Sequence, residues 1–320
     1  MRDKVLAVIR EKRRFLITSH QHPDGDSTGS ALALQHILRR LSKEALVINT
    51  DPVPFNLTRM PLLENWIVRS ELPEDFPSGY DAVFILECPN PDRTGYAGLD
   101  RGLIVNLDHH LSNSGYGNVV VIEPEAACLG KIIFAIAQGL GVPVDPETAT
   151  CLYIALVTDA GQFCYANATP DSFQLAKDLV TLGARPAEVS RILYEGYSAC
   201  AVKLKGLLLS TLSLEDDGRL AFLEFPLCFL KESCSAPGDA EGVIDEPRKI
   251  TGVEVAVMLR EVRGGLVKVS MRSQGQVDVE AVARRHAGGG HRNAAGFTIS
   301  ATLAEARHLI LRELGRSLTS

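Results

Sequence analysis

Residues 13–41 read RRFLITSHQHPDGDSTGSALALQHILRRL and set the frame for the rest of the chain. The apolar run that ends at Ser19 predicts a buried strand. Residues 27–41 place leucine and isoleucine largely on one helical face and predict a helix, with Ser27 and Thr28 expected to cap its N-terminus. A polar loop with two histidines and two aspartates joins the strand to the helix. This order of elements is the first unit of an α/β domain.

The same alternation continues as far as residue 196. Strand-like apolar runs recur at 44–50, 80–87, 101–107 and 118–123. Helical periodicity is found at 127–140, 146–158, 170–183 and 186–196. Strands that alternate with helices predict a largely parallel sheet, so we assign residues 1–196 to an N-terminal α/β domain.

The pattern changes after residue 196. Residues 197–215 predict a connecting helix that serves as a linker. Strand-like runs follow at 219–225, 253–260 and 266–272, and helices at 278–286 and 302–316. We therefore predict a second, smaller α/β domain over residues 216–320, because 320 residues are more than one ordinary core needs.

The composition excludes several classes of protein. Hydrophobic residues make up 46% and charged residues 22%, as in globular proteins. A net charge of −6 argues against long duplex DNA as a partner, because proteins that bind it are usually basic. No apolar run approaches the ~20 residues that span a bilayer, so we expect no membrane partner. The seven cysteines contain no CxxC pair, which disfavours a thiolate zinc site and fits a reducing cytoplasm.

Polar clusters lie at the ends of the predicted elements. His20 follows the first strand, Glu87 ends the third, and Asp108, His109 and His110 follow the fourth. Parallel α/β sheets bind ligands outside the carboxyl ends of their strands, so we expect these side chains to converge on one crevice. Imidazole and carboxylate groups together are ligands of divalent metal ions, and their joint placement predicts a metal-dependent hydrolase.

Each cluster also has a plain structural explanation. Asp24 and Asp26 could belong to an ordinary loop with capping residues. His109 and His110 could form a structural histidine pair. Asp159, at the end of an apolar helix, could simply face water. Only the joint arrangement of the clusters at segment ends favours a metal site over these alternatives.

Another cluster, GGGHRNAAG at 288–296, is suited to phosphate binding. The backbone of three glycines can approach an anion closely, and the histidine and arginine that follow add donors. The alternative is an ordinary glycine turn before a strand. Two further arginines could each bind a phosphate or lie at a solvated strand face or turn, and the sequence leaves this open. The candidate substrate-binding residues are Gly288, Gly289, Gly290, His291, Arg292, Arg272 and Arg93.

These motifs resemble a known superfamily. The segments HPDGDSTGS, LECPNPDRTG, LDHH and TDAGQF resemble, in order, the four metal motifs of the DHH phosphoesterases. GGGHRNAAGF looks like the signature of the DHHA1 substrate-binding domain. DPVPFNL at 51–57 and EGVIDEPRKITGVEVAV at 241–257 are similar to the branch of short oligoribonucleases that also hydrolyse 3′-phosphoadenosine 5′-phosphate (pAp). The resemblance implies a parallel-sheet DHH domain, a smaller α/β DHHA1 domain and an active site in the cleft between them.

The resemblance also implies a centre of two divalent ions, with Mn²⁺ expected and Mg²⁺ or Co²⁺ as alternatives. The implied ligands are His20 and Asp24 for one ion, Asp26, His109 and Asp159 for the other, and Glu87 as the bridge. Asp108 would support the site, and His110 would face the scissile phosphate as general acid or electrostatic stabiliser. The family usually has aspartate where this chain has Glu87. Because glutamate adds a methylene at the bridging position, a nucleotide-binding regulator with weakened catalysis is an alternative.

The function expected from the resemblance is hydrolysis of short oligoribonucleotides and pAp by a metal-activated water. A cyclic dinucleotide such as cyclic di-AMP is the alternative substrate. A pyrophosphatase is disfavoured, because GGGHRNAAG marks a different type of C-terminal domain. We expect short RNA or a small nucleotide as the partner, a cytoplasmic location, and leave open whether the chain forms a homodimer.

Overall fold

The computed structural model describes residues 2–318, except for the side chains of His291 and of residues 316–318. The chain divides into two compact units, Met1–Gly196 and Tyr197–Ser320. Within the described residues, no helix combines the length and the apolar character needed to cross a bilayer. All seven cysteines are free thiols.

The N-terminal unit is built on a six-stranded sheet in which every strand pair is parallel. Its strands are β1 (Arg14–Ser19), β2 (Glu44–Asn49), β3 (Trp66–Val68), β4 (Ala82–Leu86), β5 (Ile104–Asp108) and β6 (Val119–Ile122). Their order in the sheet is β3-β2-β1-β4-β5-β6. The order therefore reverses between β1 and β4, which is the place where open α/β sheets bind ligands.

The helices of this unit cover one face of the sheet. They are α1 (Arg2–Glu11), α2 (Gly25–Arg40), α3 (Leu129–Leu140), α4 (Pro146–Asp159), α5 (Pro170–Thr181) and α6 (Pro186–Tyr194). Phe15 and Ile17 of β1 pack into the core beneath the helices, whereas Leu16 packs on the opposite face. Loops cover that opposite face with side chains such as Phe76 and Tyr96. Both faces are thus buried, as a parallel sheet requires.

Helix α2 begins earlier than the sequence indicates. Asp24 is the N-cap, and its carboxylate accepts a hydrogen bond from the backbone N–H of Ser27 at 2.9 Å. The Ser27 hydroxyl accepts one from the backbone N–H of Asp24 in return, which forms a capping box. The prediction that Ser27 and Thr28 cap the helix is therefore wrong, because the aspartate of the preceding turn reaches the free amides first. As a result, Asp26 lies in the first turn of α2.

The C-terminal unit contains a mixed six-stranded sheet. Its strands are β7 (Ser213–Glu215), β8 (Leu220–Phe225), β9 (Val255–Val262), β10 (Leu266–Ser273), β11 (Gly289–His291) and β12 (Ala294–Ser300), in the order β11-β12-β10-β9-β8-β7. Its helices are α7 (Ala199–Ser210), α8 (Cys228–Ser233), α9 (Val279–Arg284) and α10 (Leu303–Leu318). Only β8 and β9 pair in parallel. Two α/β units, the first with a fully parallel sheet, confirm the predicted fold class.

The predicted linker 197–215 contains a helix, α7, followed by the short strand β7. Leu204 and Leu208 of α7 pack against Leu223 and Phe225 of β8. Strand β7 pairs with β8 as the outer strand of the sheet. This segment is therefore integrated into the C-terminal unit.

Candidate metal centre

The predicted metal ligands meet at the carboxyl end of the parallel sheet. His20 directly follows β1, and Glu87 directly follows β4. Asp108 is the last residue of β5, and His109 comes next. These positions flank the point between β1 and β4 where the strand order reverses. Helices complete the set, since Asp26 lies in the first turn of α2 and Asp159 is the last residue of α4.

Two groups of ligand atoms form and share Glu87. In each group, one atom from every residue lies within 4.8 Å of the others. The groups are His20, Asp24 and Glu87, and Asp26, Glu87, His109 and Asp159; a third combination joins Glu87 to His109 and His110. The two main groups contain the same residues as the two ligand sets implied by the family resemblance, and Glu87 belongs to both.

Distances inside the groups suit an enclosed cation. Nε2 of His109 lies 3.6 Å from an oxygen of Asp26 and 3.7 Å from one of Asp159. Nε2 of His20 lies 3.9 Å from an oxygen of Asp24 and 3.9 Å from one of Glu87. These separations are longer than direct hydrogen bonds. They leave room for an ion that contacts each atom.

Two buried polar atoms at the centre lack a partner. Among the described residues, no group forms a hydrogen bond with Oε2 of Glu87 or with Nε2 of His109. Buried polar atoms of this kind are rare in native proteins and call for an explanation such as an ion. Both atoms belong to the groups that could hold a metal. The donor set therefore fits a divalent cation.

The electrostatics also call for positive charge. Burial raises the pKa of Asp26 well above its ordinary value, and the charges of Asp159 and Asp24 add to the effect. Burial and the nearby charge of Asp26 likewise raise the pKa of Glu87. Burial raises the pKa of Asp159, although His109 opposes the shift. A cation among these carboxylates would favour the ionised form of all of them.

Glu87 reaches the centre through an unusual backbone conformation. Val83 and Ile85 of β4 point into the core under the loops, so strict alternation would send the side chain of Glu87 there too. Instead, Glu87 has a φ of +52°, which reverses the alternation. Its carboxylate joins the metal ligands, and Cys88 packs into the core under the loops. Cys88 is thus a core residue.

Hydrogen bonds to the backbone orient the ligands. Oδ2 of Asp26 accepts from the N–H of Leu129 at 2.6 Å, and Oδ1 accepts from that of Gly130 at 3.1 Å. Asp26 thereby satisfies the first amides of α3, whose N-cap residue Cys128 makes no side-chain cap. Nδ1 of His109 lies 3.2 Å from the carbonyl oxygen of Ala126, which leaves Nε2 for a metal. Sequence patterns gave no signal for the contribution of α3.

Asp108 connects the metal ligands to His110. Its Oδ1 lies 2.8 Å from Nδ1 of His110, and its Oδ2 accepts from the side-chain amide of Asn113 at 2.5 Å. Burial acts to raise the pKa of Asp108, but the hydrogen bonds from His110 and Asn113 outweigh it and leave this pKa below the ordinary value. The bond to Asp108 in turn raises the pKa of His110. The contact with Asp108 uses Nδ1 and leaves Nε2 as the outer ring nitrogen of His110.

An amide pair behind Asp108 was not predicted. Asn106 of β5 is fully buried and donates to the side-chain oxygen of Asn113 at 3.0 Å. Asn113 donates back to Asn106 at 3.2 Å. The sequence signal that could have identified the pair is asparagine within an otherwise apolar strand, since a buried amide needs a matching partner.

The candidate substrate-binding residues lie in both units. In the N-terminal unit, Arg93 is exposed in the short helix Pro91–Thr94, and its carbonyl accepts from the N–H of Gln21, next to His20, at 2.7 Å. Position 291 of β11 pairs with Ala294 of β12, which in turn pairs with Arg272 of β10. The side chain of His291 lies outside the described residues. Arg292 is exposed in the turn between β11 and β12.

The glycine run has a structural role that the sequence did not reveal. Gly289 and Gly290 lie in strand β11 and so do not form a simple turn. A side chain at Gly288 would come within 2.3 Å of the carbonyl oxygen of Gly296, and one at Gly290 within 2.4 Å of that of Ala294. These two glycines therefore allow β11 to approach β12 closely. Gly289 has open space around it.

The sequence matches known families and proteins. Residues 14–156 match the DHH family, N-terminal domain, and residues 226–318 match the DHHA1 domain. The chain is 33% identical over 305 residues to the bifunctional oligoribonuclease and PAP phosphatase NrnA of Thermus thermophilus. The aligned region covers 95% of this chain and 90% of that protein. It is 24% identical to the cyclic-di-AMP phosphodiesterase GdpP of Geobacillus thermodenitrificans, over 93% of this chain and 47% of that protein.

A solved structure has the same fold. An exopolyphosphatase-related protein from Bacteroides fragilis superposes with a TM-score of 0.85 at 24% identity, over 98% of this chain and 95% of that one. The chain therefore belongs to the DHH family, with a DHHA1 domain after its DHH domain. The family predicted from the sequence is confirmed, and with it the class of enzyme, a hydrolase that acts on phosphoester bonds.

Proposed function

We propose that this protein hydrolyses short oligoribonucleotides and pAp with the help of two divalent metal ions, Mn²⁺ in the first place. One observation carries the proposal: two groups of ligand atoms lie side by side and share the buried Glu87. Oxygen-rich ligand sets with imidazole suit Mn²⁺ or Mg²⁺ better than a structural zinc ion. His20 and Asp24 would hold one ion, and Asp26, His109 and Asp159 the other.

The residues around the ligands have distinct proposed roles. When bound, the ions supply positive charge to the phosphoryl oxygens and lower the pKa of a water that attacks in line. Asp108 fixes the ring of His110 through Nδ1, so that Nε2 carries a proton toward the leaving oxygen or the phosphoryl group. The guanidinium of Arg93 would bind the phosphate from the side of the loop that follows β4.

We propose that the DHHA1 domain holds a second phosphate of the substrate. The backbone amides of Gly288–Gly290, with His291, Arg292 and Arg272, would form this subsite. Strand β11 is the outer strand of its sheet, so part of its backbone remains available to an anion. A net charge of −6 favours small substrates over long polymers, because binding of long nucleic acids draws on many basic residues. Free thiols support a cytoplasmic location.

Two alternatives have a specific basis. The similarity to GdpP supports cyclic di-AMP as a substrate, although that similarity is lower than the 33% identity to the Thermus protein. A regulator that binds nucleotides without turnover is supported by the longer side chain of Glu87. The seven implied metal-motif residues other than Glu87 match the family pattern, which favours an active enzyme.

A panel of substrates tests the proposal. Purified protein with Mn²⁺ is offered pAp, a diribonucleotide and cyclic di-AMP in parallel, and we expect the first two to be hydrolysed faster. Asp26→Asn and His109→Ala should each lower turnover by at least about 100-fold, because they remove or misorient a metal ligand. Asp171→Asn, which alters an exposed carboxylate on α5, is the matched control. Near-normal turnover in Asp26→Asn at saturating Mn²⁺ would contradict the ligand assignment.

A second test addresses the DHHA1 domain. His291→Ala should raise KM for pAp and for a diribonucleotide that carries a 5′-phosphate, with some loss of kcat, because distant binding energy also positions the reacting phosphate. Hydrolysis of bis-p-nitrophenyl phosphate, which has no second phosphate, should change little. Metal analysis of the variant confirms that the ions are retained. Equal losses on both kinds of substrate would place His291 in the chemistry instead.

A further inference from the structure

The loop 160–168, which follows the metal-ligand candidate Asp159, has a strained backbone. Gly161, Gln162 and Phe163 have φ values of +53°, +59° and +63°. Side chains other than glycine adopt this left-handed region at a cost of about 1 kcal/mol or more each. Such strain concentrates at binding sites, where the surrounding structure holds the loop in place.

The strained turn fixes the position of Tyr165. A Cβ atom at Gly161 would lie 2.4–2.5 Å from three atoms of the Tyr165 ring, so the ring rests directly on the glycine backbone. The residue is nevertheless 64% exposed. One face of the ring is thus supported by the protein, and much of the rest remains open.

Neighbouring residues anchor the loop on both sides. The side-chain amide of Asn167 donates to the carbonyl oxygen of Asp159 at 3.1 Å and to its carboxylate at 3.3 Å. It also donates to the carbonyl oxygen of Ala127 at 3.0 Å. Phe163 packs against the core under the helices and stacks on Phe173 with ring centroids 4.9 Å apart. The loop that carries Tyr165 is therefore held against Asp159, one of the candidate metal ligands.

We propose that the ring of Tyr165 stacks on a nucleobase of the bound substrate, next to the phosphate that is cleaved. This inference rests on the proposed function, since a phosphodiester at the metal centre carries a nucleoside on each side. Proteins bind single-stranded nucleotides by stacking bases on exposed aromatic rings, and each contact contributes about 1–3 kcal/mol. A ring that is held in place beforehand loses little entropy when the base arrives. Stacking tolerates any base, so it would give affinity without sequence preference.

The test combines variants of the protein with variants of the substrate. Wild type, Tyr165→Ala and Tyr165→Phe are compared on a diribonucleotide and on two analogues in which one base or the other is replaced by hydrogen. Tyr165→Ala should lower kcat/KM for the complete diribonucleotide by about 5- to 150-fold, the range that corresponds to 1–3 kcal/mol. Tyr165→Phe should stay within about threefold, because the ring is kept. Val202→Ala, which trims an exposed side chain of α7, is the control.

The combination of protein variants and substrate analogues identifies which base is stacked. One of the two analogues lacks the base that stacks on Tyr165, so the wild type already has a lowered kcat/KM for it. On that analogue, Tyr165→Ala should lower kcat/KM by less than about a further twofold. Equal losses on the complete substrate and on both analogues would overturn the proposal. So would an unchanged kcat/KM in Tyr165→Ala, the result expected if this patch binds a protein partner. Metal content of each variant is measured to exclude damage to the centre.

Equilibrium binding separates this proposal from the proposed function. If the wild type hydrolyses none of the nucleotides, the proposed function fails. The dissociation constant of Mn²⁺-loaded protein for the same three ligands then still tests the stacking contact. A Tyr165→Ala variant that binds the complete diribonucleotide as tightly as the wild type would overturn it.

Discussion

Glu87 combines two features that are seldom found together. It is a charged residue with only 2% of its surface exposed, and its backbone has a positive φ. Aspartate and asparagine adopt this conformation more readily than glutamate. The position requires a carboxylate that lies near both groups of ligand atoms. Here that carboxylate belongs to glutamate, whose side chain is longer than that of aspartate.

Substitution of Glu87 separates an enzyme from a regulator. Glu87→Ala should abolish turnover, because neither group of ligand atoms is complete without it. Glu87→Asp should keep or raise turnover, since aspartate tolerates the left-handed backbone better. The measurement is kcat with Mn²⁺, together with the number of ions bound per chain. A wild type that binds nucleotide tightly but shows no turnover with Mn²⁺, Mg²⁺ or Co²⁺ would favour the regulator.

Asn113 gives a second prediction at this scale. Asn113→Ala removes the amide that donates to Oδ2 of Asp108 and to the side-chain oxygen of the buried Asn106, which keeps only its bond to the carbonyl oxygen of Tyr116. We expect kcat on a diribonucleotide to fall by about tenfold, because a lost buried hydrogen bond costs about 1–3 kcal/mol and here loosens His110. KM and Mn²⁺ affinity should change much less. Asn65→Ala, at an exposed contact with Arg39, is the control. An unchanged kcat would show that Asp108 needs no such support.

Residue types at strand ends were enough to predict which side chains lie together, but not the groups that hold them in place. His20, Glu87 and His109 stood out because polar side chains directly follow apolar strands. The amides of Leu129 and Gly130 that hold Asp26 could not be predicted, because an apolar sequence does not show where a helix N-terminus points. The side-chain direction of Glu87 depends on a φ value that no periodicity indicates.

At the scale of elements, the contact between α2 and α4 determines the geometry of the centre. The two helices bring Asp26 and Asp159 into one ligand group. They approach closely at Gly29, where a side chain would lie 2.4 Å from the carbonyl oxygen of Cys151. That neighbour is backbone and cannot move aside without shifting α4. A glycine in the middle of a helix, unfavourable by itself, is thus required by packing.

Gly29→Ala should therefore destabilise the N-terminal unit and disturb the centre. We expect a loss of about 1–3 kcal/mol in the free energy of unfolding, as for an overpacked core, and weaker Mn²⁺ binding. Urea unfolding can be followed through the single tryptophan, Trp66 of β3. Gly139→Ala on α3 meets only the flexible end of Leu6 and should be neutral or slightly stabilising. Equal stability of the two variants would contradict the proposed role of Gly29.

Helix α4 also gives a prediction on pH. Its N-cap Asp145 accepts hydrogen bonds from the N–H and hydroxyl of Thr148 at 3.0 and 2.8 Å. Burial acts to raise the pKa of Asp145, but these hydrogen bonds, together with His36 at 2.8 Å from the carboxylate, prevail and lower it. A carboxyl with a lowered pKa in the folded state stabilises the fold above its unfolded pKa of ~3.9 and loses this effect as the pH falls through the folded value.

Asp145→Ala should lower the free energy of unfolding by about 1–2 kcal/mol at pH 7, as for a lost N-cap. Asp145→Asn keeps a capping oxygen and should lose less. The gap between wild type and Asp145→Asn should persist at pH 5 and shrink below pH ~4, where the unfolded carboxyl becomes protonated. Unfolding by urea at several pH values measures this gap. A gap that grows toward acidic pH would reverse the sign we assign.

Long elements were predictable from sequence, and short ones were not. Helices α4 and α5 begin at Pro146 and Pro170, the residues at which the sequence predicts their starts. Strand β3 has only three residues and was missed, because so short a run carries no recognisable period. Strand β12 was missed because small residues dominate its first half, and its long pairing with β10 joins segments that are distant in sequence.

For the whole molecule, we expect metal binding to stabilise the N-terminal unit. The buried carboxylates repel one another, so a cation that binds only the folded state shifts the folding equilibrium. Mn²⁺ at 100 times its dissociation constant should add about 2.7 kcal/mol to the free energy of unfolding, and EDTA should remove it. Trp66 fluorescence reports on this unit. The free energy of unfolding of Asp26→Asn should increase clearly less when Mn²⁺ is added. An equal increase in that variant would place the ions elsewhere.

The spread of the ligands along the chain has a consequence for synthesis on the ribosome. They extend from His20 to Asp159, and all of them belong to the N-terminal unit. A nascent chain from which β4 and β5 have emerged already exposes Glu87 and His109, whereas α4 has not yet emerged. The second ligand group is complete only when Asp159 emerges, and by then none of the DHHA1 domain has left the ribosome. If these residues bind metal as we propose, an ion can enter the centre and stabilise the first domain before the domain proposed to hold the substrate has emerged.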